Sequence, residues 1–161
     1  GLKGLKLAYV GDGNNMAHSL LYGGAQFGMT VSISHPRGYA PDAEVVTRAR
    51  EIAATTGGAI QITEDPAEGV ADADAVYTDV WASMGQEAEA KERNDRFKGF
   101  EVNGQLMSNA RPDSIFLHCL PAHRGEEVSA EVIDGPRSVV FDEAENRLHA
   151  QKAVMVRLMG H

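Results

Sequence analysis

Short apolar runs alternate with amphipathic stretches along most of the chain. Leu5 to Val10 is an apolar run of strand length, followed by a Gly-rich turn at Gly11 to Asn15. Met16 to Phe27 carries helical spacing that sends Leu20, Leu21 and Ala25 toward a core, and Gly28 supplies a stop because glycine tolerates positive φ. Thr30 to Ser34 is rich in β-branched residues and reads as a second strand. Pro41-Asp42 opens a helix whose apolar positions Val45, Val46, Ala49, Ile52 and Ala53 recur every three or four residues, and Gly57-Gly58 closes it. A third strand over Ala59 to Thr63, a brief helix from Pro66 to Ala71 and a fourth strand over Ala75 to Thr78 follow.

Beyond residue 80 the pattern predicts a charged helix over Ala88 to Phe97, a short one over Gly104 to Asn109 and a strand over Ile115 to Leu117. A polar loop then runs from Cys119 to Glu127, and Ser138 to Phe141 is the candidate for a last strand. The closing helix is expected to start near Asp142, with Glu145 completing a capping box and Leu148, Met155 and Met159 lining one face. Strands separated by helices imply a parallel sheet with right-handed crossovers. The expected fold is therefore a Rossmann-like, doubly wound α/β domain with helices on both faces. In that architecture ligands sit beyond the carboxyl ends of the strands, so residues that carry chemistry should fall directly after a strand.

Composition narrows the field. A chain of 161 residues fits one domain with a real core. Its net charge of −8 argues against nucleic acid as a partner, which would call for a basic face. Cys119 is the only cysteine, so no intrachain disulfide can form, and a reducing, cytoplasmic setting is expected. No apolar run approaches the roughly 18 residues needed to cross a bilayer, so no membrane partner is expected. No signal-peptide pattern is seen, and the opening Gly1-Leu2-Lys3 suggests a fragment or an excised domain.

Four segments pass the strand-end test. Gly11-Asp12-Gly13-Asn14-Asn15 follows the first strand and invites comparison with a dinucleotide turn, but the third glycine of that fingerprint would fall at Met16. Paired amides offer donors and acceptors that suit a zwitterionic amino acid, while the plainer reading is a turn and helix N-cap. Asp79-Val80-Trp81-Ala82-Ser83-Met84-Gly85 follows the fourth strand. There Asp79 could anchor an ammonium group and Ser83 a carboxylate; an exposed Trp81 and Met84 would be unusual for structure alone. The alternative makes Asp79 a helix cap and Trp81 a lid on the core. His118-Cys119-Leu120-Pro121 raises the idea of a thiol nucleophile, yet neighbours in an extended chain point to opposite sides, so His118 is badly placed to activate Cys119. A buried structural cysteine is the alternative, and the spacing is not that of zinc ligands. In Glu143-Ala144-Glu145-Asn146-Arg147 a cation stands near a helix N-terminus, against the macrodipole unless it holds an anion, or unless Glu143 and Arg147 simply pair. The remaining histidines, His18, His35, His123, His149 and His161, show no readable spacing.

Taken together, from Leu5 through the helix that holds Arg147, these segments resemble the C-terminal domain of ornithine carbamoyltransferases, in the family's order. Ser83-Met84-Gly85 resembles the ornithine loop, and His118-Cys119-Leu120-Pro121 the cysteine motif that separates these enzymes from aspartate-using relatives. The resemblance implies that residues 1–161 form an ornithine-binding domain. Asn15, Asp79, Ser83 and Met84 would contact ornithine, with Asn14 a lesser candidate, and His118, Cys119, Leu120 and Arg147 would contact carbamoyl phosphate. Cys119, Asp79 and Arg147 would be the catalytic set. The implied reaction is attack of ornithine's δ-amine on the carbamoyl carbon, giving citrulline and phosphate, a step of arginine biosynthesis and the urea cycle. The amine must lose a proton, with Asp79 and Cys119 as candidate acceptors, and arginine would stabilise the developing charge. No metal or organic cofactor is implied, and family members are commonly homotrimers.

The family's phosphate-binding Ser-x-Arg-Thr segment is missing, as is its His-Pro-x-Gln motif; His35-Pro36-Arg37-Gly38 has glycine where glutamine is required. Both belong to an N-terminal carbamoyl phosphate domain that this chain lacks, so the chain alone is expected to fold but to make little or no citrulline. Rival functions are a nicotinamide-dependent oxidoreductase, disfavoured by Met16 and by Ser34-His35 where an acidic residue should end the second strand; a stand-alone amino-acid-binding or regulatory module; and a carbamoyltransferase acting on a related amine.

Overall fold

Alternation along β1 (Lys6–Val10) sets up the whole architecture. Ala8 and Val10 point to one face of the sheet, Leu7 and Tyr9 to the other, and each pair enters a separate apolar cluster. A computed structural model describes residues 1–82 and 90–160. These residues form a five-stranded sheet in the order β3-β2-β1-β4-β5, with every pairing parallel. The other strands are β2 (Thr30–Ser34), β3 (Ala59–Thr63), β4 (Ala75–Thr78) and β5 (Ile115–His118).

On one face lie α1 (Asn15–Gln26) and α2 (Ala43–Thr56), which bury Ala17, Leu21 and Ala25, and Val46, Ala49 and Ala53, against Leu7, Tyr9, Val31 and Ile33. Their ends are set locally. Asp42 caps α2 by accepting from the N–H groups of Glu44 and Val45, and Gly57 ends it at φ +86°. The opposite face carries shorter pieces: α3 (Pro66–Val70), α4 (Ala90–Arg96), α5 (Gly104–Met107), α6 (Ala130–Ile133) and the first turn of α7 (Val140–Met159). They bury Val70, Phe97, Leu106, Met107, Val132 and Val140 over Val76 and Phe116.

The second half departs from the sequence reading in four places. Ser138 to Phe141 is not a strand: the segment makes a single parallel bridge, Phe116 to Ser138, before Val140 begins α7. Val140 is buried as the docking residue of that helix, which leaves no room for a longer ladder. Asp142 is not a cap either; Val139 occupies that position without a side-chain bond, and Asp142 and Glu143 lie inside the first turn. The helix α6 carries no periodicity long enough to be read in advance. Along α7 the predicted apolar face of Leu148, Met155 and Met159 is exposed, and Val140 is the helix's only buried residue. No helix among the described residues is long and apolar enough to cross a membrane.

Candidate active site

The chain runs β1, β2, β3 outward to one edge, then crosses back to lay β4 on the other side of β1. The switch point, where a doubly wound sheet opens a crevice, therefore lies between the carboxyl ends of β1 and β4. Register aligns the strand ends at this point. Val10 pairs with Thr78 and Thr78 with His118, so Gly11, Asp79 and Cys119 are the next residues along three adjacent strands. The Thr78 hydroxyl donates to the Val10 carbonyl at 2.6 Å and ties the two strand ends together.

At the end of β1, Asn14 is the N-cap of α1, its Oδ1 accepting from the Met16 N–H at 3.3 Å, and Asn15 is the first helical residue and exposed. Gly13 has a specific reason to be glycine. A Cβ there would lie 2.6 Å from the Tyr39 carbonyl oxygen and 2.5 Å from the Ala40 carbonyl carbon, and its N–H already donates to Tyr39 at 2.9 Å. The chain's own backbone thus fills the approach that a pyrophosphate would need. Between the glycines, Asp12 pairs with Arg93 of α4 at 2.6 Å, and Arg93 also donates to the Trp81 carbonyl at 3.1 Å and lies 5.3 Å from the centroid of the Tyr39 ring. Sequence reasoning missed this clamp because 81 residues separate its partners. It missed Tyr9 too, whose buried hydroxyl has no hydrogen-bond partner among the described residues.

At the end of β4, Asp79 is buried, and its Oδ1 accepts from the Val80 N–H at 2.7 Å and from the Cys119 thiol at 3.0 Å. Burial, then the hydrogen bond to Asp79, then the charges of Asp79 and Glu143 push the Cys119 thiol up to about 12. At neutral pH the sulfur is a protonated donor, not a thiolate nucleophile. Trp81, read either as an exposed loop residue or as a lid on the core, is 6% exposed and packs 5.5 Å from Phe97, centroid to centroid. Ser83, Met84 and Gly85 lie outside the described residues.

At the end of β5, His118 is buried and locked in one tautomer. Its Nδ1 accepts from the Leu120 N–H at 2.9 Å, which leaves Nε2 to carry the proton toward Glu127 at 3.1 Å. The ring therefore turns from Cys119 and fixes the chain at Leu120, whose φ is +54°. On α7, Glu143 does not pair with Arg147. Its two oxygens accept from the Tyr77 hydroxyl at 2.6 Å and the His118 N–H at 3.0 Å. Burial and this bond raise the Tyr77 phenol above its ordinary range. Arg147 stands one turn further on the same side of α7, exposed and with no ion pair among the described residues. The strand ends thus bring Asp79 and Cys119 into contact and set the Gly11–Asn15 turn beside them; Arg147 is joined to the group only through the helix it shares with Glu143.

Residues 3–158 match the family described as the aspartate/ornithine carbamoyltransferase, Asp/Orn binding domain. The ornithine carbamoyltransferase of Symbiobacterium thermophilum is 63% identical over 159 residues, which are 99% of this chain and 51% of that protein. The enzyme of the same name from Thermococcus kodakarensis is 59% identical over 99% of this chain and 50% of its own length. Among solved structures, the ornithine carbamoyltransferase from Pyrococcus furiosus superposes with a TM-score of 0.92 at 57% identity, covering 96% of this chain and 50% of that one. The chain spans about half the length of the curated relatives it matches.

Proposed function

This chain belongs to the aspartate/ornithine carbamoyltransferase family, through its Asp/Orn binding domain, and from that premise we propose that it is the ornithine-binding half of an ornithine carbamoyltransferase. The observation that carries the reading is the contact of Cys119 with Asp79 at 3.0 Å across the ends of β4 and β5, beside the β1 turn. One buried carboxylate at a switch point, flanked by amides, suits a substrate with a cationic side chain and a zwitterionic end.

The proposed chemistry follows from the protonation states. Ornithine's δ-ammonium docks on Asp79 and must lose a proton before its nitrogen can attack. Cys119 already holds its own proton, so Asp79 is the acceptor and Cys119 the donor that steadies it. The new bond joins the δ-nitrogen to the carbamoyl carbon while the bond from that carbon to the phosphate oxygen breaks. Asn15 addresses the amino-acid end together with Ser83 and Met84; Arg147 offsets charge on the phosphate, and His118 holds Leu120 toward the carbamoyl group. Aligning two substrates supplies much of the acceleration. The nicotinamide reading loses support at Gly13, whose open side is filled by backbone.

The proposal extends to the whole protein, a homotrimer working in the cytoplasm, in which a second half holds carbamoyl phosphate. The present chain binds ornithine but, given both substrates, makes little or no citrulline; robust citrulline production would contradict this division of labour. Calorimetry with ornithine tests the binding claim. Asp79→Asn should weaken affinity by at least about tenfold, since it removes a charged partner from a desolvated site, and unchanged affinity would remove Asp79 from the site.

A further inference from the structure

Glu127 ends the polar loop after β5, and its side chain is 0% exposed. Only one of its two oxygens is used. Oε1 accepts from the His123 N–H at 2.6 Å and from His118 Nε2 at 3.1 Å. Oε2 is buried with no hydrogen-bond partner among the described residues, and Nδ1 of His123 stands off at 3.8 Å, too far for a hydrogen bond. Because His118 Nδ1 accepts the Leu120 N–H, that ring is neutral and brings no positive charge to the carboxylate. A buried carboxylate with one oxygen left without a hydrogen bond is costly unless something else fills the gap.

The groups around that gap share one chemistry. His123, Glu126 and Glu127 each offer a ligand atom, and the three atoms lie within 4.8 Å of one another. Imidazole nitrogen with carboxylate oxygen is a donor set for first-row divalent cations, and three protein ligands leave positions for water. The His123 side chain is 55% exposed, so the mouth opens to solvent while Glu127 forms the floor.

We propose that His123, Glu126 and Glu127 form a binding site for a divalent first-row transition cation, with Glu127 Oε2 as its buried ligand. The site is separate from the Asp79–Cys119 pair, yet joined to it: Glu127 holds His118, and His118 holds the backbone at Leu120. A carboxylate that binds metal on one oxygen and orients a histidine with the other is the arrangement by which outer partners tune a metal site, here working in reverse. The cation would therefore stiffen the turn that carries Cys119.

The test uses the whole chain in a Cys119→Ser background, which removes the thiol as a competing ligand. Co2+ is titrated by its visible absorption and then displaced with Zn2+. The expected result is saturable binding of one cation, weakened at least about tenfold by His123→Ala and by Glu126→Gln. His149→Ala, which removes the His149–Glu145 pair on α7, should leave binding unchanged. Because His123 is largely exposed, its substitution keeps the fold, which circular dichroism verifies. Absence of saturable binding, or binding that survives His123→Ala at full strength, would overturn the proposal.

Discussion

The two flanks of the sheet are held by different means. On the β2–β3 side, order comes from neighbours in sequence: Asp42 caps α2, Asp65 caps α3 from the residue before Pro66, and Gly28 and Gly57, at positive φ, follow the ends of α1 and α2. On the β4–β5 side, order comes from bonds between distant residues. Tyr77 and His118 both donate to Glu143, Cys119 donates to Asp79, and Asp12 holds Arg93. The second flank also carries the proposed site residues Asp79 and Cys119. On the proposed function those strand ends present polar groups to a ligand, which apolar packing cannot seal, and side-chain bonds across the fold take its place.

The largest effect expected from this contrast is at Glu143. Replacing it with alanine leaves the Tyr77 hydroxyl and the His118 N–H without their acceptor, and each orphaned donor costs about 1–3 kcal/mol. Urea unfolding should show a loss of about 3 kcal/mol. Asp42→Ala, on the other flank, should cost about 1 kcal/mol, the worth of one N-cap. Equal losses would erase the distinction between the flanks.

A smaller effect is expected in alkali. The folded Cys119 thiol is raised from its ordinary value of 9.0 to about 12. Between those limits the unfolded chain releases a proton that the folded chain keeps, so stability is full below pH 9 and falls as pH rises toward 12. Tyr77 and Tyr9, both raised by burial first, act in the same direction. Cys119→Ser should therefore lose less stability than the parent over this range, in unfolding curves collected at stepped pH. An identical slope would mean that the thiol is not protected as the geometry requires. In Asp79→Asn, alkylation of Cys119 should set in at lower pH, because a hydrogen bond and a charge that hold the proton are gone.

The same contrast explains what could be read beforehand. The strands β1 to β4 lie within a residue of their expected limits because apolar runs and local stops define them, as do α1 and α2. The strand-end rule pointed to Asn15, Asp79 and Cys119, and register sets their three strand ends side by side. Ser138 to Phe141 misled because Val139-Val140 looks like a strand but serves as the dock of α7. Of the two readings of Trp81, the lid on the core is the one observed; its local context is a polar loop, and the partner that covers it, Phe97, lies beyond that loop. Asp12 and Glu143 lay in segments that the sequence singled out, but their partners Arg93, Tyr77 and His118 sit on other elements, and only the folded chain brings them together. Tyr9 and Glu127 left no local signal.

The central claim is that the carboxyl ends of β1, β4 and β5 form one pocket for a diamino acid. Backbone amide NMR of the chain titrated with ornithine tests it directly. The account predicts shifts concentrated at Gly11 to Asn15, Asp79 to Ala82 and His118 to Leu120, and abolished by Asp79→Asn. Shifts that instead cluster along β3 and α2, or a spectrum indifferent to ornithine at saturating concentration, would contradict it.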